Sequence, residues 1–289
     1  MSAVRLRGRH GEGRRRGGYR MRIAAVTIRT GALAIVGLLG LTVDLYAGRP
    51  LVTDDADPVA RGRVEVEFGI ELETSTQLYN LTAPFAFGFG LTDWLEVAIK
   101  PSVLYVDDQD ASPRRVAGVG DLVLEAKARL PFRPFDLDLA LVPSLKIPTA
   151  DEDRGLGTGK VDGGAVFVIT KAFTETRKLH FNVGYTAVGK ASEVQLRDQL
   201  FVGLAGETSI PGLAEERLQF VAEVFGTTAE EEGGPGDIQG RLGVRYLAVE
   251  DLVLDAAIGR SFTSRPPVEF FATVGLTWTF DAPWKRRTR

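Results

Sequence analysis

The chain has 289 residues, a formal net charge of −3, 33 Gly, no Cys and only two His, His10 and His180. Its mean hydropathy of +0.01 excludes a bundle of membrane helices, which would need several apolar stretches of roughly 20 residues. Having no Cys excludes disulfides, thiolate metal sites, cysteine nucleophiles and a lipid-modified N-terminal Cys; two His exclude a multi-histidine metal site, and no cofactor is expected.

Residues 1–47 read as a secretion signal. Arg14, Arg15, Arg16, Arg20, Arg22 and Arg29 precede an apolar run over 31–43, and Leu45-Tyr46-Ala47 offers small residues near a cut. The run is short for a membrane anchor, and Met21 is a plausible true start. Arg14-Arg15 is a weaker twin-arginine candidate, because Gly-Gly-Tyr-Arg follows it. This segment holds nine Arg against Glu12 and Asp44, a net of +7, so removing it from a chain of −3 leaves about −10. An acidic exported protein is a poor nucleic-acid binder.

Residues 48–62 are expected as a periplasmic lead-in. About 12 strands follow, at approximately 63–73, 79–89, 94–105, 118–130, 136–147, 161–171, 178–189, 197–210, 216–227, 237–248, 251–261 and 268–280. The last is the clearest: Phe270, Ala272, Val274, Leu276, Trp278 and Phe280 alternate with Thr273, Gly275, Thr277 and Thr279. Strict alternation means one apolar and one polar face. Connections at 90–93, 131–135, 172–177, 211–215 and 249–250 are tight, whereas those at 106–117, 148–160, 190–196 and 228–236 are longer. Short turns alternating with longer loops predict an all-β, closed antiparallel transmembrane barrel spanning 63–280, with periplasmic turns and outer loops. The first and eleventh connections are short for outer loops, and a basic tail, 281–289, ends the chain.

Charge on a lipid face costs roughly 2–4 kcal/mol near the midplane, so charged stripes must face inward. Glu65, Glu67, Glu71 and Glu73 oppose Val64, Val66, Phe68, Ile70 and Leu72. Asp121, Glu125, Lys127 and Arg129 oppose Leu122, Leu124, Ala126, Ala128 and Leu130; Lys146 lies opposite Leu145, and Arg241 and Arg245 opposite Leu242 and Val244. His180 is in phase with Asn182 and Thr186. The candidate lumen lining is therefore Glu65, Glu67, Glu71, Glu125, Lys127, Arg129, Lys146, His180, Arg241 and Arg245, a salt-bridged and hydrated interior. Trp94, Tyr105, Phe132, Phe135, Phe173, Tyr246, Trp278 and Phe280 suit interfacial girdles, or equally the ordinary strand preference of aromatics.

Four segments carry a family resemblance: Arg49-Pro50-Leu51-Val52-Thr53-Asp54-Asp55-Ala56, Gly90-Leu91-Thr92-Asp93-Trp94-Leu95-Glu96-Val97, Gly118-Val119-Gly120-Asp121-Leu122-Val123-Leu124-Glu125-Ala126-Lys127, and Ile147-Pro148-Thr149-Ala150 with Gly157-Thr158-Gly159. They are similar to the bacterial outer-membrane transporter family named for the meta-cleavage pathway of phenol degradation. The resemblance implies passage of small hydrophobic or aromatic compounds, and an end-of-strand aromatic, here Phe280, read by the barrel-insertion machinery. Asp281 and the residues after it depart from that ending.

No motif carries chemistry. The acidic clusters Asp54/Asp55/Asp57, Asp107/Asp108/Asp110 and Asp151/Glu152/Asp153 match no EF-hand spacing and read as solvated loops, or as loops ion-bridged to lipopolysaccharide phosphates. The Gly-rich 118–120 and 155–160 sit in no βαβ unit and are not phosphate loops. His180 has no matching Ser motif for a barrel hydrolase, and aspartyl-type chemistry is formally open. The expectation is a non-enzymatic channel for small solutes in outer-membrane lipid and lipopolysaccharide. The alternative is a non-conducting structural barrel plugged by 148–160, with a hydrolase the least favoured. The small, uncharged stripe of the last strand should close against the Glu row of the first, making that seam the place for a path.

Overall fold

The computed structural model describes residues 48–283 except 110–112, 191–195, 211, 215–216, 230–233, 235, 265 and 267. The expected signal segment, Met21, Asp110 and most of the basic tail lie outside the described residues.

Twelve antiparallel strands close into a barrel. They are β1 (Arg63–Thr74), β2 (Leu78–Gly90), β3 (Leu95–Lys100 continuing as Ser102–Asp108), β4 (Arg115–Val119 continuing as Leu122–Arg129), β5 (Asp138–Ile147) and β6 (Asp162–Thr174). There follow β7 (Arg177–Ala187), β8 (Gln199–Ser209), β9 (Leu218–Thr227), β10 (Asp237–Val249), β11 (Leu252–Ser261) and β12 (Phe270–Asp281). β3 breaks at Pro101, which has no N–H to give the ladder, and pairs on both sides of the break with β2. β4 breaks at Gly120-Asp121, where the inward side switches from even to odd positions; its two halves pair with the two halves of β3. Neighbours in sequence are neighbours in space throughout. β1 meets β12 from Arg63↔Asp281 to Thr74↔Phe270, so no edge strand is left.

The expected strand spans hold to within a few residues and the faces hold, except that β3 and β4 extend into the expected loop over 106–117 and β4 changes sides at Gly120-Asp121. Ile70, Ile99, Leu145, Leu204, Leu242 and Ile258 are exposed on the outer surface, as a lipid-facing wall requires. Aromatics collect at both rims. Trp94, Phe132, Phe135, Phe173, Tyr246 and Trp278 are exposed at the short-turn end, while Tyr79 and Tyr105 meet edge-on at the long-loop end.

The segment expected as a periplasmic lead-in instead lies inside the barrel. Arg49, Leu51, Thr53, Asp54, Ala56 and Val59 are all buried. From Gly48 the chain runs around the inner wall past β10, β9, β7, β6, β4 and β3, then turns out through residues 60–62 into β1. The physical reason is a match of surfaces. The inner wall of β5, β6, β8 and β9 carries an apolar patch, and Ala56 and Val52 pack on it against Ala140, Val142, Val166, Val168, Phe201 and Phe225. Leu51 packs on Ala205 and Val221. The interior thus combines polar lining with an apolar patch covered by the segment, and is not the wholly polar lumen expected.

Candidate functional site: the lumen and its inserted segment

The inner wall supplies a partner at nearly every step of the inserted segment. Glu223 accepts from the N–H groups of Val52 and Thr53 at 3.0 and 2.9 Å. Asn182 accepts from Asp54 N–H at 2.7 Å and donates its amide to Asp54 C=O at 2.9 Å. Thr170 Oγ1 accepts from Ala56 N–H at 3.0 Å, and Glu96 from Val59 N–H at 2.9 Å. A segment without secondary structure must satisfy its backbone in this way or leave buried polar groups unpaired.

Arg49 is the strongest anchor. Its guanidinium pairs with Glu71 at 3.1 Å and Asp255 at 3.3 Å, and donates to Thr273 Oγ1 at 2.6 Å and Val274 C=O at 3.2 Å. It lies in a notch between Gly69 and Gly275, which face each other across the β1–β12 seam. A Cβ on either glycine would overlap the guanidinium. Arg245 grips the same end: it donates to Arg49 C=O at 2.6 Å and to Gly48 C=O, and pairs with Glu207 at 2.5 Å.

The candidate lining residues all point inward, and the inserted segment takes several of them as partners. Lys127 pairs with Asp54 at 2.7 Å, and Arg129 bridges Asp57 at 3.2 Å to Asp138 at 2.5 Å. Lys178 lies 3.5 Å from Asp57. The Asp54/Asp55/Asp57 cluster is therefore not a solvated loop but is held by cationic wall residues. Lys100 donates to Glu125 at 2.6 Å. Arg241 stacks over Phe271 at 3.6 Å and Phe225 at 4.8 Å. His180 Nδ1 is 3.0 Å from Thr170 Oγ1 and Nε2 is 3.9 Å from Glu207. The Thr170 hydroxyl, which accepts from Ala56 N–H, is thus shared between the inserted segment and the imidazole.

The loop over 148–161 folds into the long-loop end. Leu156 is buried against Leu78, Leu104, Val106 and Val116. Lys146 ties the loop to the wall through Asp162 at 2.6 Å, Thr158 at 3.0 Å and Asp121 at 3.4 Å. At the same end Asp107 pairs with Arg114 and Arg115. Asp198, which accepts from Tyr185 O–H at 2.6 Å, is held below the usual carboxylate range by that bond, with Val188 N–H and Lys190 assisting.

What the segment leaves open is a cavity of about 350 Å³ on the seam side, toward the short-turn end. Glu65, Glu67, Thr277 and Thr279 form one wall, Ala86 and Gly88 the floor, and Glu96, Ala98 and Lys100 the far side. Asp55, Asp57, Pro58 and Val59 of the inserted segment complete it. The acidic row of β1 closes directly against the threonine stripe of β12, Glu65 beside Thr279 and Glu67 beside Thr277, and the two together border the open space.

Residues 47–280 match the family described as "Putative MetA-pathway of phenol degradation". The chain belongs to this family. Its fold is similar to that of a solved outer-membrane channel from Pseudomonas putida F1, with a TM-score of 0.63 at 13% identity, covering 78% of this chain and 98% of the other. The KdgM porin gives 0.52 at 7% identity, covering 75% of this chain and 99% of the porin, and the NanC porin 0.50 at 8%, covering 74% and 98%. A search of curated proteins finds no match. Arg49 and Asp54 were not expected in the lumen, and Asn182, in phase with His180, was not expected as their segment's partner. The overlooked signal was a run apolar at both parities, Leu139 to Val142 and Ala165 to Ile169, which demands cover on the inner face too.

Proposed function

We propose that the protein is a narrow outer-membrane channel in which small solutes pass along the β1–β12 seam, between the wall and the inserted segment. The observation that supports this is the cavity of about 350 Å³ lined by Glu65, Glu67, Thr277 and Thr279, beside an otherwise occupied lumen. A barrel of about 12 strands lies between small barrels filled by side chains and the wide porins, so an off-centre path of this size fits its girth. The family relationship supports small hydrophobic or aromatic compounds as cargo, and the mixed charged lining suits amphipathic ones. Residence in the outer membrane, export directed by residues 1–47, insertion by recognition of Phe280, and contact with lipopolysaccharide at the long-loop end belong to the same reading.

The test is single-channel recording of the folded barrel in planar bilayers. Discrete, ohmic openings are expected, with cation selectivity that falls in Glu65→Gln/Glu67→Gln. Folded protein that passes no current at any voltage refutes the channel. One observation favours a non-conducting barrel: the inserted segment and the 148–161 loop occupy the lumen together, with Ala56 and Leu156 both buried. The same recording decides between the two. The Thr170–His180–Glu207 row does not favour a hydrolase, because Thr170 and His180 are buried beneath the inserted segment.

A further inference from the structure

We propose that the seam-side cavity is a binding site for a small organic cation, an ammonium or guanidinium head on a compact apolar body. This rests on reading that cavity as the solute path.

The argument starts from charge bookkeeping around the cavity. Five cationic side chains line it, and each has a carboxylate partner: Arg49 with Glu71 and Asp255, Arg63 with Asp251, Lys100 with Glu125, Lys127 with Asp54, and Arg245 with Glu207. Three lining carboxylates are left without an ion pair among the described residues: Glu65, Glu67 and Glu96. Glu65 accepts only from Thr279 O–H at 3.2 Å, and Glu96 only from Val59 N–H at 2.9 Å. Glu67 is the decisive group. It is 4% exposed, borders the cavity, and its Oε2 is buried with no hydrogen-bond partner. A buried carboxylate oxygen in that position lacks a donor, and a cationic N–H group supplies one with the strongest complement.

The distribution of the three carboxylates sets the ligand class. Ala86 and Gly88 of β2 separate the Glu65/Glu67 row on β1 from Glu96 on β3, and these small side chains leave the floor open between them. No group of three or more acidic, His or Cys side chains among the described residues is arranged to hold a metal ion. Spread carboxylates suit a larger cation with several N–H donors better than a compact inorganic one. Val59, Ala60, Ala98 and Val253 add apolar lining for the body of the ligand. A cavity of about 350 Å³ is at the small end of ligand sites, which limits that body to about one ring.

Benzylamine, benzyl alcohol and benzoate share one shape and differ in charge, which makes them the probes. Binding is measured by calorimetry on the detergent-folded full barrel at constant ionic strength. Benzylamine is expected to bind at least tenfold more tightly than benzyl alcohol, with benzoate not binding. Glu67→Gln is expected to reduce that affinity at least tenfold. Ala98→Leu, which fills the cavity without altering charge, is expected to abolish it, and serves if Glu67→Gln does not fold. Equal affinity for the amine and the alcohol, or full amine affinity in folded Ala98→Leu, overturns the proposal. Because binding needs no current, a silent bilayer with intact amine binding would refute the channel alone, and open channels that ignore the amine would refute the site alone.

Discussion

Replacing Arg49 by Ala should free the start of the inserted segment without opening the barrel. The guanidinium is 3% exposed, and its loss leaves Glu71 and Asp255 buried without their cation. Breaking a buried pair from one side costs about 3–5 kcal/mol. Of the other backbone tethers, those to the neutral Asn182 and Thr170 contribute about 0.5–1.5 kcal/mol net per bond, and those to the carboxylates of Glu223 and Glu96 about 1.5–3. Arg49 therefore outweighs either neutral acceptor, and its removal should shift the seated equilibrium by roughly a hundred- to several-thousand-fold. The barrel itself keeps its continuous ladder from β1 round to β12. The chain has no Cys, so Thr53→Cys makes a single reporter at a site that is 2% exposed. Maleimide labelling of that reporter should be slow in the Arg49 background and at least a hundredfold faster in Arg49→Ala, with conductance rising in parallel. Heat-dependent electrophoretic mobility checks that the barrel is folded. Labelling within twofold of the parent, in folded protein, would refute the anchoring role.

Gly275→Leu should mimic Arg49→Ala in the same labelling assay, because its Cβ takes the guanidinium's space; unchanged labelling would mean the notch is not needed. Leu156→Ala deletes most of a side chain that is 1% exposed, so the 148–161 loop should lose about 2–5 kcal/mol of local stability and become cleavable at Arg154 by trypsin while the strands stay protected. Val274→Arg places a charge on the outer face and should destabilise the barrel by about 2–4 kcal/mol in urea titrations in lipid vesicles if it lies near the midplane. The adjacent lumen-facing Thr273→Ser, which keeps the hydroxyl and loses only a buried methyl, should cost about 1 kcal/mol or less.

The barrel was legible because its code is local. Val64 to Glu73 alternate within one strand, and a neighbour two residues away settles the face of each. Loop lengths gave direction for the same reason. The inserted segment was not legible, because its meaning lies in distant partners. Arg49 meets Thr273 at a separation of 224 residues, and Asp54 meets Asn182 at 128. Read alone, 48–58 is a polar stretch with two prolines, like any linker. The break in β4 was also hidden: Gly120-Asp121 reads as one strand start, yet the chain enters the sheet at Arg115 and changes faces there. The seam was the exception among long-range features, since the unlike stripes of the first and last strands are both visible and closure forces them together.

The seat of Arg49 is built from β1, β11 and β12, so it does not exist until the final strand has zipped to the first. The start of the inserted segment thus waits for the last strand. Occupancy of the seat is a completion mark: a cylinder still unlatched along one side cannot hold its own stopper, and one that holds it has finished assembling.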